Sequence, residues 1–120
     1  GSRVAIAERY TLESFVVNSG TNIDATATIT LKNGEGEQKK SMIGVGQIEA
    51  AFSAINSLAG IEPKLADYTL NPVTGGEDAL GDATLRLDLD GRGANGRGLS
   101  IDIIEASIRA YLNGINKMVD

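Results

Sequence analysis

The chain has 120 residues, 42% of them hydrophobic and 22% charged, the proportions of one ordinary globular domain. Lys and Arg total 11 against 16 Asp and Glu, a net charge of −5, so the clustered basic charge of a nucleic-acid footprint is missing. With no His and no Cys, the imidazole base, the thiolate nucleophile, the common zinc sites and any disulfide framework are all excluded.

No apolar run approaches the roughly 18–20 residues of a membrane span, and no signal-peptide pattern opens the chain. Neither a membrane nor a nucleic acid is therefore an expected partner. The lack of Cys is compatible with a cytoplasmic protein. Gly1-Ser2 reads as a tag remnant, and residues 1–9 as a lead-in.

An internal repeat organises the chain. Tyr10-Thr11-Leu12 recurs as Tyr68-Thr69-Leu70, and at the same offset Asp24-Ala25-Thr26 recurs as Asp82-Ala83-Thr84. Further on, Glu49-Ala50 matches Glu105-Ala106 and Ala54 matches Ala110. A strand opens at Tyr10. Residues 24–31 then alternate, with Ala25, Ala27, Ile29 and Leu31 on one face and Thr26, Thr28 and Thr30 on the other. Asn33-Gly34 predicts a hairpin turn into a third strand near 37–43. Ile48, Ala51, Phe52, Ile55 and Leu58 stand at helical spacing over 47–58, and Gly60 stops that helix.

The second half repeats the plan. Ala83, Leu85, Leu87 and Leu89 alternate, Asp90-Gly91 predicts the turn, and a helix is expected over about 101–117. Ile101, Ile104, Ile108, Tyr111 or Leu112, and Ile115 would form its buried stripe, with Ser100 as its cap. The predicted architecture is α+β: two pseudo-symmetric β-β-β-α units, 10–58 and 68–118, packed together across a connector at 59–67. A three-stranded sheet with one helix is thin, so two units, and two chains, are expected to associate.

Two features invite a ligand. Gly44-Val45-Gly46 and Gly96-Arg97-Gly98 each precede a predicted helix, where glycines expose backbone N–H groups beside the positive end of the helix dipole. The plainer reading is a pair of tight strand-to-helix turns. Neither a P-loop nor a dinucleotide fingerprint fits the spacing. The second feature is the run from Val73 to Asp82, three glycines and three acids between two strands, either a solvated turn or a loop that wraps a small ligand. It lacks the ligand positions of an EF-hand. Ser41, Ser53 and Ser107 have no His partner. The residue chemistry points to a binding or assembly domain with no catalytic and no metal site.

Tyr68, the run Gly75-Gly76-Glu77-Asp78-Ala79-Leu80-Gly81, the run from Gly96 to Ser107 and the ending Ala110-Tyr111-Leu112 with Ile115-Asn116-Lys117 together resemble the C-terminal regulatory domain of 2-isopropylmalate synthases. Gly44-Val45-Gly46 and the following helix agree, and the likeness covers about residues 9–118. The chain departs from that pattern at Gln47-Ile48-Glu49 and at Ile101.

The resemblance implies a homodimeric domain that binds L-leucine, the end product of the pathway, for feedback inhibition. It also implies a parent enzyme whose TIM-barrel domain, using a divalent metal, condenses acetyl-CoA with 2-oxoisovalerate. No cofactor is implied for the fragment itself. Gly44 and Gly46 would supply N–H donors to the leucine carboxylate, as would Gly96 and Gly98. Asp78, Asp102 or nearby carbonyls would face its ammonium. Ile48, Leu65, Tyr68, Pro72, Ala79 and Leu99 would line the isobutyl slot, with Ser100 in the same set and Gly81 where a side chain would intrude. Two alternatives accompany this reading: the isoleucine-binding domain of citramalate synthases, and a dimerisation module without a ligand.

Overall fold

The computed structural model describes residues 9–34, 36–73 and 80–119. Strands β1 (Thr11–Gly20), β2 (Ile23–Asn33) and β3 (Gly36–Gly44) lead into helix α1 (Gln47–Ala59). Strands β4 (Lys64–Val73), β5 (Leu80–Leu89) and β6 (Arg92–Ser100) lead into helix α2 (Ile103–Met118). Each trio is an antiparallel meander, ordered β1-β2-β3 and β4-β5-β6. The α+β class and the paired β-β-β-α plan are as the sequence predicts. β4 begins at Lys64, within the stretch read as a connector, so only residues 60–63 separate it from α1.

The central strands carry the core because their side chains alternate. Ala25, Ala27, Ile29 and Leu31 of β2 and Ala83, Leu85 and Leu87 of β5 are buried. Helix α1 lies on β2 and β3, α2 lies on β5 and β6, and the two helices meet. Phe52 of α1 stacks on Tyr111 of α2 with ring centroids 3.9 Å apart. The Tyr111 hydroxyl donates to Asn56 Oδ1 at 2.6 Å, tying the halves together within one apolar core.

Local chemistry sets the element ends. Asp90 and Gly91 both take positive φ, 51° and 84°, and form the two-residue turn of the second hairpin, opposite the pair Leu89 and Arg92. In the first hairpin Asn33 still pairs with Gly36, and the left-handed residue is Gly34, so the turn falls one residue later than the Asn-Gly dipeptide predicts. Gly60 closes α1 in the left-handed region, its N–H donating to Asn56 O at 2.8 Å.

Helix α2 corrects two expectations. Its cap is Asp102, whose Oδ1 accepts from Ile104 N at 2.9 Å and from Glu105 N at 3.5 Å. Ser100 instead ends β6, and its hydroxyl accepts from Asp102 N at 3.1 Å. The strand runs on through Ser100, so the chain leaves extended geometry too late for that residue to cap. Ile101 accordingly precedes the helix and is 73% exposed, outside the buried stripe.

Strand register also revises the repeat. Ala25 pairs with Gly44, and Ala83 pairs with Gly98, so the two Asp-Ala-Thr triplets are equivalent. Val17 pairs with Ala27, and Tyr68 pairs with Leu85, so the counterpart of Tyr68 is Val17. Tyr10 lies before β1. The Tyr-Thr-Leu likeness is therefore no part of the duplication. The β1–β2 link is residues 21–22 and the β4–β5 link is 74–79, so the offset changes inside each half.

Candidate functional site

The same register separates the two glycine pairs. Gly44 corresponds to Gly98, not to Gly96, so Gly44-Val45-Gly46 and Gly96-Arg97-Gly98 are not equivalent turns. Gly96 and Gly98 lie inside β6, under α2. A Cβ on Gly98 would stand 2.6 Å from Ala110 N, and one on Gly96 would stand 2.9 Å from Gly114 N. A Cβ on Gly44 would meet the Cα of Ala50 at 2.8 Å. These three glycines admit helix backbone onto a sheet, and the two runs do not form an equivalent pair of turns. Gly46 is the N-cap of α1, with extended backbone, and a Cβ there would meet nothing.

The concavity that best suits a small apolar ligand lies where β4, β5 and the start of α2 converge. It has a volume of about 320 Å³ and is lined by Leu70, Asn71, Pro72, Leu80, Gly81, Ile101 and Ile103. Its floor follows from antiparallel pairing. Pro72 lies opposite Gly81, and Leu70 lies opposite Ala83, so both belong to the helix-facing side of the sheet. Gly81 faces Ile103 so closely that a Cβ would touch Ile103 Cγ2 at 3.2 Å. Ile101 and Ile103 flank the Asp102 cap and form the opposite wall.

The cap shapes the electrostatics of this wall. Asp102 takes three of the first four helical N–H groups, those of Ile104 and Glu105 on its side chain and that of Ala106 on its carbonyl. The fourth is the N–H of Ile103, a residue of the cavity wall. Glu105 pairs with Arg109 at 2.7 Å, and Asp102 is an exposed carboxylate beside the cavity. Arg97 grips Asp82 through two bonds of 2.8 and 3.0 Å, which hold the Asp82 carboxyl below its ordinary pKa.

Of the residues that the resemblance implicates, Pro72 and Gly81 line this cavity, and Ser100 and Asp102 adjoin it. Tyr68 sits on the same strand face, turned toward the helices: its hydroxyl bonds Ser107, and its ring meets Phe52 edge-on at 6.3 Å. Leu65 is further along β4, opposite Leu87. Ile48 packs against the core, and Leu99 lines a separate cleft with Arg109, Leu112 and Asn116. Asp78 and Ala79 lie outside the described residues. Leu70 and Ile103 line the cavity although neither the residue chemistry nor the resemblance points to them. The spacing Tyr68, Leu70, Pro72 along one strand face carries the signal for the first. Among the described residues no three His, Cys, Asp or Glu side chains gather where they could hold a metal ion. No helix among them is long and apolar enough to cross a membrane.

Two β-β-β-α units joined through their helices define the class, an α+β domain of two pseudo-symmetric halves. Residues 2–119 match the family model described as the LeuA allosteric (dimerisation) domain, and the chain belongs to that family. It is 45% identical over 116 residues to a 2-isopropylmalate synthase of Carboxydothermus hydrogenoformans, covering 95% of this chain and 23% of that protein. It is 40% identical over 115 residues to a 2-isopropylmalate synthase of Heliobacterium modesticaldum, covering 96% and 22%. One from Aquifex aeolicus is 41% identical over 105 residues, covering 88% and 20%. The chain thus spans less than a quarter of the length of these relatives and corresponds to their C-terminal regulatory portion.

Proposed function

We propose that this domain binds L-leucine and delivers feedback inhibition to a 2-isopropylmalate synthase of which it is a part, with no catalysis of its own. The observation that carries the reading is the cavity at Pro72, Gly81 and Ile103, small, apolar and set against a helix start. At about 320 Å³ it stands at the lower end of the range for small-molecule sites, which suits a single amino acid. Leu70, Leu80, Ile101 and Ile103 offer an apolar surface for the isobutyl group. Ile103 N–H and the positive end of α2 suit the carboxylate, and Asp102 suits the ammonium.

The domain also pairs with a second copy. Ile101, Ile103 and Leu80 remain exposed at the cavity, an apolar rim of the kind that association covers. In this reading the catalytic domain of the parent, with its divalent metal, condenses acetyl-CoA with 2-oxoisovalerate in the cytoplasm. Leucine shifts the regulatory dimer by a coupling of about 1–3 kcal/mol.

Calorimetric titration of the chain with L-leucine, beside L-isoleucine and L-valine, tests the reading. Preference for leucine is the expected result. Preference for isoleucine moves the domain to the citramalate synthase branch, and heat from none of them leaves a dimerisation module. An apolar slot separates two such isomers by roughly 1–3 kcal/mol, well within what the titration resolves.

A further inference from the structure

The residues just before β1 are held by the far end of the molecule. Tyr10 N–H donates to Asn116 Oδ1 at 2.8 Å, and Asn116 Nδ2 donates to Tyr10 O at 2.9 Å. One carboxamide thus satisfies both backbone groups of a single residue, as a neighbouring strand would. The bond pair is buried: Tyr10 is 5% exposed and Asn116 is 7% exposed. Beside it, Arg9 Nη1 donates to Val119 O at 2.8 Å, and the Arg9 guanidinium stands 6.0 Å from the Tyr10 ring centroid. These contacts join residues 9–10 to the last turn of α2, across 106 positions of sequence.

Helix α2 is continuous from Ile103 to Met118. Its first residue walls the cavity, and Asn116 lies about 20 Å further along the same rigid rod. Any change at the cavity that tilts or slides α2 moves Asn116, and with it the backbone of Tyr10. We propose that Asn116 is a positioning residue that couples the cavity to the N-terminal lead-in. The coupling rests on the leucine-binding reading, in which the catalytic domain precedes residue 9.

Amide hydrogen exchange read at Tyr10 tests this directly, since its N–H bonds the Asn116 side chain itself. Without ligand, Asn116→Leu should speed exchange at Tyr10 by about tenfold, the worth of one strong hydrogen bond, while amides of β5 keep their rates. Should that variant fail to fold, Asn116→Asp keeps the acceptor and removes the donor, and should give a smaller acceleration. Unchanged exchange at Tyr10 in a folded variant overturns the clamp.

With saturating L-leucine, Tyr10 exchange in the unmodified chain should shift by about fivefold or more. Asn116→Leu should lose that shift and, by reciprocity, bind leucine with an affinity changed by a similar factor, a response that mere support of the fold would not produce. A chain that binds leucine calorimetrically without any change at Tyr10 overturns the coupling, and so does a shift that survives Asn116→Leu. Absence of leucine heat overturns the effector reading and the coupling together, while the clamp is still decided by exchange in the ligand-free chain.

Discussion

Gly81 faces α2 across a gap that a side chain would fill, and its neighbour there is the end of an Ile103 side chain at 3.2 Å. The Ile103 side chain can turn aside, so a larger residue at 81 would enter the cavity without lifting the helix. Gly81→Asp should leave the fold intact by circular dichroism and weaken leucine binding by about tenfold or more, since it places a charge in an apolar slot. Wild-type affinity in a folded Gly81→Asp variant would remove this residue from the site. Tyr111 supplies a second test. Its burial pushes the phenol pKa up to about 12 from 10.0, against the partial offset of the Asn56 bond. The folded state then holds that proton more tightly than the unfolded chain. Stability should be level below pH 10 and fall as pH rises from 10 toward about 12. Denaturant midpoints measured across that range should show the decline, and Tyr111→Phe should flatten it.

At the scale of elements, the seat of α2 on β6 decides more than either element alone. Gly96 and Gly98 occupy consecutive helix-facing positions of one strand, each against backbone of α2. Gly98→Ala should cost about 3 kcal/mol in urea unfolding, because helix backbone rather than a flexible side chain must give way. Gly46→Ala, where nothing lies within 4 Å of the added carbon, should cost no more than about 1 kcal/mol, the difference between Gly and Ala as an N-cap. Equal costs at the two positions would mean that the helix is not seated on bare backbone. The sequence marks both glycine pairs as special, yet does not separate packing from anion binding. A Gly-x-Gly in front of a helix looks alike in both cases until the strand is known to continue through Ser100.

For the whole molecule, two thin sheets share one core through α1 and α2, and the aromatic stack of Phe52 on Tyr111 joins the halves. Apolar surface remains beside the cavity, where Ile101 is 73% exposed. Ile101→Lys should leave the monomer fold unchanged, since the side chain supports little of it. It should weaken self-association by about tenfold in sedimentation equilibrium, by burying a charge in the dimer contact. A dimer unaffected by the substitution would place the interface elsewhere.

Alternation in β2 and β5, the Asp90-Gly91 turn, the periodicity of both helices and the glycine stop at Gly60 were all legible in the sequence. Each depends on residues a few positions apart, where geometry is local. So was the family, because its motifs lie in continuous runs. Register, closeness and cavity belong to the tertiary structure alone. Whether Tyr10 or Val17 matches Tyr68, whether Ser100 or Asp102 caps α2, and which of the candidate residues meet at one cavity all depend on strand pairing and helix seating. Those are set by contacts between residues tens of positions apart. The join of Tyr10 to Asn116 is the extreme case, since nothing near either residue in the chain announces the other.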